Sequence, residues 1–155
     1  MDKSISLILG VVLILTGPIP NWATPEWQDF AAHIVAGEAT PYFESKMLVI
    51  CTLINDVENR GWNPRSLQGR WFGWRYPTEK DHRAVKVALA GGCEDIPPYI
   101  YLGNGRYHEL WERIGYVGEG YVADIYKFGP WTMVGIRRKD VVEEINLELK
   151  GYQIR

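Results

Sequence analysis

The sequence predicts an α+β fold, mainly helical, closed by a small β-hairpin or sheet. Three segments between Thr24 and Gly92 repeat apolar residues at helical spacing, and a Gly- and Tyr-rich half follows in which apolar runs are short and bounded by turn residues. A chain of 155 residues is long enough to bury a proper core within a single domain, without a disulfide or metal to hold it.

The first helix opens at Thr24-Pro25-Glu26, which supplies a cap, a proline at the first helical position and an acid in the first turn. Trp27, Phe30, Ala31, Ile34 and Val35 then recur on one face. Pro41 interrupts the pattern. A second helix is predicted from about Glu44 to Asn59, with Phe43, Met47, Ile50, Cys51, Ile54 and Val57 on a stripe that belongs to the core, and Gly61-Trp62-Asn63-Pro64 ends it. Thr78 caps a third helix with Asp81 in the capping-box place, and Ala84, Val85, Ala88 and Leu89 face inward until Gly91-Gly92.

After Pro97-Pro98, the residues Tyr99-Ile100-Tyr101-Leu102 read as a strand that places Tyr99 and Tyr101 on one face, with a turn at Gly103-Asn104-Gly105. Tyr107, Leu110, Trp111 and Ile114 suggest a short helix ended by Gly115. The runs Tyr121 to Phe128 and Trp131 to Ile136 predict a hairpin joined at Gly129-Pro130. Val142, Ile145 and Leu149 give the charged tail from Lys139 the spacing of a surface helix.

At the N-terminus Lys3 precedes an apolar run from Ile5 to Leu15, broken by Thr16-Gly17-Pro18. A spanning helix needs ~20 apolar residues, so the run suits the core of a signal peptide and predicts export. Cleavage near Ala23 would put Asn21 where a small residue is preferred, which leaves retention as a membrane tether as the alternative.

A net charge of -2 without any basic run excludes an electrostatic footprint for nucleic acid. Gly115-x-x-Gly118-x-Gly120 follows no clear strand and is not the dinucleotide fingerprint. His33, His82 and His108 lack metal-ligand spacing, so neither a metal nor another cofactor is expected. Cys51 and Cys93 allow one disulfide in an exported chain, and Cys51 reads equally well as a buried free thiol on its helix.

The chemistry concentrates at Glu38, in His33-Ile34-Val35-Ala36-Gly37-Glu38-Ala39. A carboxylate among small and apolar residues costs desolvation energy unless it has a partner or a task. Its place at the C-terminal end of the first helix also sets it against the helix dipole. Both effects favour the protonated form and make Glu38 a candidate general acid. Trp71, Phe72, Trp74, Arg75 and Tyr76 crowd into one Gly-containing loop and cannot all face one core, so this loop is a candidate carbohydrate surface: sugar rings pack their C–H faces on aromatic planes and their hydroxyls need polar neighbours. Tyr99, Tyr101 and Asn104 are candidates for a second wall of a cleft.

The stretch from Ile34 to Asn104 resembles the catalytic core of the SleB-like cell-wall hydrolases, the family of the spore cortex-lytic enzyme. The resemblance rests on the order and spacing of Gly37-Glu38-Ala39, Pro41-Tyr42, Glu44-Ser45-Lys46 and Leu53-Ile54-Asn55-Asp56-Val57. It continues through His82-Arg83-Ala84-Val85-Lys86-Val87-Ala88-Leu89-Ala90-Gly91 and Pro98-Tyr99-Ile100-Tyr101-Leu102-Gly103-Asn104. The loop after Glu38 is a residue shorter than the family pattern, and Asp56 stands where an arginine is common.

The resemblance implies a lysozyme-like α+β domain over residues 24–138, preceded by a signal peptide or tether over 1–23 and followed by a charged tail or helix over 139–155. It implies an exported enzyme, in the cell envelope or outside the cell, that cleaves the glycan strand of peptidoglycan as a lytic transglycosylase or muramidase, with Glu38 as the proton donor. A transglycosylase needs one such carboxyl, whereas a hydrolase uses a second carboxylate ~5 to 9.5 Å away. Glu44, Asp56, Glu79 and Asp81 are the candidates for that second group, and each is read more simply as a cap or a solvated helix charge, which favours the transglycosylase. The rival expectation is a non-catalytic carbohydrate-binding envelope protein, or a membrane-tethered structural subunit, that keeps the fold.

Overall fold

The computed structural model describes residues 18–61, 63, 71, 73–104 and 120–139. The N-terminal apolar run, Phe72, the helix expected around 107–114 and the tail beyond Lys139 lie outside the described residues. The chain divides into two compact units, Met1–Pro98 and Tyr99–Arg155.

The first unit is helical. Helix α1 (Pro25–Glu38) begins as its sequence dictates: the Thr24 hydroxyl oxygen accepts the Trp27 N–H at 3.2 Å, and Pro25 occupies the first turn where no N–H is needed. Its buried face is Trp27, Ala31, Ala32, Ile34 and Val35. Phe30, expected on that face, is only half-buried. Helix α1 ends at Glu38, where Ala39 turns extended and its N–H closes on the Val35 carbonyl at 3.0 Å.

Helix α2 (Phe43–Arg60) departs from the one-sided stripe its apolar spacing suggests. Every residue from Ser45 to Leu53 is buried while Ile54 is half-exposed, because α1 packs against α2 and so does the third helix with its terminal turn. Three polar residues go inside with it, and one of them, Thr52, donates its hydroxyl to the Leu48 carbonyl one turn back at 2.8 Å. The Ser45 hydroxyl sits 2.8 Å from the Tyr42 carbonyl and accepts the Thr40 N–H at 3.0 Å, closing the short connection that follows Glu38.

Lys46 is the charged one. Its ammonium donates to Asp81 on helix α3 (Glu79–Val87) at 2.5 Å. Asp81 in turn accepts the Thr78 N–H at 2.7 Å and the Thr78 hydroxyl at 2.8 Å, completing the cap read from sequence. Burial pushes the Asp81 carboxyl up, but Lys46 and the two Thr78 donors outweigh it and hold the group below its ordinary value.

After α3 the chain widens into a π-helical turn, Ala88–Gly92, that delivers Cys93 to Cys51 on α2. The two cysteines form a disulfide with Cα atoms 5.6 Å apart, so Cys51 is not a free thiol.

The second unit carries a three-stranded antiparallel sheet in the order β1–β3–β2, from β1 (Tyr101–Asn104), β2 (Tyr121–Phe128) and β3 (Trp131–Arg138). The hairpin between β2 and β3 turns at Gly129-Pro130 as predicted. Strand β3 is central, and Met133 to Ile136 are accordingly buried. Strand β1 starts two residues later than its aromatic pattern suggests and takes in Gly103 and Asn104, because these pair with Val134 and Met133 of a strand some thirty residues away. The described residues therefore form a mixed α+β structure with three helices and one antiparallel sheet.

Candidate functional site

Glu38 is the last residue of α1 and is partly exposed. Its Oε1 accepts the main-chain N–H of Gly73, from the loop that enters α3. The same loop is fastened to α1 at further points: the Arg75 N–H donates to the His33 carbonyl at 3.2 Å, and the Trp74 ring stacks on His33 with centroids 4.5 Å apart and planes 20° from parallel. Phe30 completes the seat, 5.3 Å from Trp74 between centroids. The residues at 30, 33 and 37 lie one or two turns apart on one stripe of α1, which is why they meet one segment.

The seat depends on two glycines. A β-carbon on Gly37 would stand 2.8 Å from the Gly73 α-carbon, and one on Gly73 would stand 2.7 Å from the Gly37 carbonyl oxygen. Main chain thus runs directly on main chain beside the Glu38 carboxylate.

Beyond this seat the loop presents its aromatics to solvent. Trp74 is 51% exposed and Tyr76 is 92% exposed, with the Tyr76 ring 5.8 Å from His33. Trp71 has a different place. It is half-buried, and its indole N–H donates to Asp56 of α2 at 3.4 Å, which ties the start of the loop to that helix. Of the loop residues singled out in the sequence, Trp74 and Tyr76 therefore share a surface next to the Glu38 segment, Trp71 anchors, and Phe72 is among the residues not described.

The residues expected to wall a cleft from the strand divide otherwise. Tyr99 is 1% exposed and is a core residue, which corrects its assignment to a binding surface. It precedes β1, and its ring lies over Gly135, where any β-carbon would collide with it. Its hydroxyl donates to Asp124 at 2.9 Å and also meets the Tyr126 hydroxyl, while Arg137 donates to the same carboxylate at 2.6 Å. Burial, then Tyr126 and Asp124, push the Tyr99 phenol well above its ordinary range. Tyr101 pairs with Ile136, one residue from Gly135, and so faces the opposite side of the sheet from the Tyr99 ring; the two do not share a face. Asn104 is exposed at the end of β1, opposite Met133.

The carboxylates considered as a second catalytic group have other work. Asp81 is buried against Lys46. Asp56 is engaged by Trp71 and lies 3.5 Å from the Arg60 guanidinium. Glu44 and Glu79 are exposed in the first turns of α2 and α3, where a negative charge suits the helix dipole. No group of three or more metal-ligating side chains occurs among the described residues.

Sequence reasoning missed His33, which it weighed only for metal-ligand spacing. It is the platform under Trp74, and its Nδ1 lies 2.9 Å from the Asp29 carbonyl one turn back. The usable signal was the spacing of an aromatic, a histidine and a glycine along one helix edge, which marks a strip able to receive a second segment. No known protein family, curated protein or solved structure matches this chain.

Proposed function

We propose that this chain is a lytic transglycosylase of lysozyme-like architecture, related to the SleB-like cell-wall hydrolases, in which Glu38 protonates the glycosidic oxygen of peptidoglycan. The observation that carries the proposal is the double role of one short loop. It supplies the Gly73 N–H that holds the Glu38 carboxylate, and within three residues of it exposes the Trp74 and Tyr76 rings. Acid and aromatic surface are thereby fixed on the same stretch of α1, as cleavage of a sugar polymer requires.

In this scheme Glu38 gives its proton to the leaving oxygen as the C1–O bond breaks. The muramoyl C6 hydroxyl then bonds to C1 and returns its proton to the Glu38 carboxylate, which leaves an anhydro sugar and regenerates the acid. One carboxyl suffices, in keeping with the structural engagement of Asp56 and Asp81. Export is supported by the Cys51–Cys93 disulfide, since such bonds persist in oxidising compartments, and by the N-terminal apolar run.

The test is digestion of purified peptidoglycan by the wild-type chain and by Glu38→Gln, with released fragments identified by mass spectrometry. Anhydro-muramoyl ends from the wild type, and wall binding without release from the variant, are expected. Reducing ends would make the enzyme a muramidase. An equal digest from both chains, or binding without cleavage by the wild type, overturns the proposal.

A further inference from the structure

We infer that Gly73 is a positioning residue for Glu38, its main-chain N–H holding Oε1 so that the transferable proton resides on Oε2 alone. The inference rests on the function proposed above and assigns the atom that performs it. A protonated carboxyl has one good acceptor oxygen and one hydroxyl, and an N–H donor pairs with the acceptor. With Oε1 taken by Gly73, the hydroxyl is Oε2. That oxygen delivers the proton as the glycosidic bond breaks and takes back the proton of the attacking C6 hydroxyl.

Gly37 and Gly73 are the physical condition for this bond. A glycine forms helix less readily than an alanine, so Gly37 in the last turn does nothing for α1 itself. Its compensation is the approach of the loop: a β-carbon on Gly73 would also stand 2.8 Å from the Glu38 nitrogen, and main-chain atoms cannot swing aside as a side chain does. The loop is fastened in this register by the bond from the Arg75 N–H to the His33 carbonyl and by the stacking of Trp74 on the His33 ring. The small residue before the glutamate is thus a requirement of the carboxylate's hydrogen bond, and the bond aims the free oxygen.

Two measurements on the full chain test this. In an amide NMR spectrum, the Gly73 N–H signal should lie downfield, move as Glu38 titrates, and lose that movement in Glu38→Gln. Replacing Gly73 by glycolic acid deletes the N–H donor and leaves the shape of the loop; kcat should fall at least about tenfold while KM stays within about twofold, because the aromatic surface is untouched. In Gly37→Ala the helix should persist by circular dichroism while the Gly73 signal loses its dependence on Glu38. A Gly73 amide indifferent to Glu38, or a glycolate variant that cleaves at the wild-type kcat, overturns the inference while leaving a cutting enzyme in place. A wild-type chain that does not cut overturns the proposed function and the proton-donor role with it, whatever the amide signal shows.

Discussion

Lys46 and Asp81 meet as a buried ion pair 2.5 Å long that joins the middle helix to the first turn of the third, with side chains 8% and 2% exposed. Such a pair contributes little beyond what two well-packed apolar residues would, yet losing one partner leaves the other buried and uncompensated. Lys46→Met keeps most of the stem's volume and removes the charge, so urea unfolding near neutral pH should show a loss of about 3–5 kcal/mol. Lys46→Met/Asp81→Asn should recover part of that loss, since no charge then remains buried and the amide oxygen of the new side chain still accepts from Thr78. The Asp81 carboxyl is held below its ordinary 3.8 in the folded chain, so the unfolded chain binds the proton first on acidification. The stability Asp81 contributes is complete above about pH 5 and is lost as pH falls through 4 and below; the penalty of Lys46→Met should begin to shrink at higher pH than this, because the buried Asp81 without its lysine takes up its proton earlier.

The Cys51–Cys93 bond spans 42 residues and encloses the loop that bears Trp74 and Tyr76. Cross-linking a loop of this size stabilises mainly by restricting the unfolded chain, by about 2–4 kcal/mol. Cys51→Ala/Cys93→Ala should lower the urea midpoint accordingly. The wild type under reducing conditions should coincide with it, and equal midpoints with and without reductant would show that the bond does not form.

Trp74 is stacked on His33 from one side and half-exposed. Trp74→Ala should weaken sedimentation with purified peptidoglycan by about 2- to 12-fold, the equivalent of the ~0.5–1.5 kcal/mol that an aromatic stacking contact contributes. Trp71→Ala should act instead on stability, because its indole N–H is committed to Asp56. Equal effects of the two substitutions on binding would refute this division.

The three helices between Pro25 and Val87 and the hairpin of β2 and β3 were legible in the chain alone, since these depend on residues a few positions apart. Thr24-Pro25 starts α1, Thr78 and Asp81 start α3, and Gly129-Pro130 turns β2 into β3, each through local hydrogen bonds or a restricted φ that neighbouring residues impose. The sequence also marked Glu38 and the aromatic loop as unusual, because a carboxylate among small residues and crowded aromatics are visible without coordinates. Which loop aromatic anchors and which reaches solvent depended on residues far away in the chain. Trp71 and Trp74 look alike in the chain, yet one meets Asp56 and the other His33, partners 15 and 41 residues away. Tyr99 and Tyr101 looked like a pair, and Gly135 on a later strand leaves room for the Tyr99 ring alone. Gly37 beside Glu38 acquired its meaning from Gly73, because close approach of two main chains is a property of the packed state that neither segment carries alone.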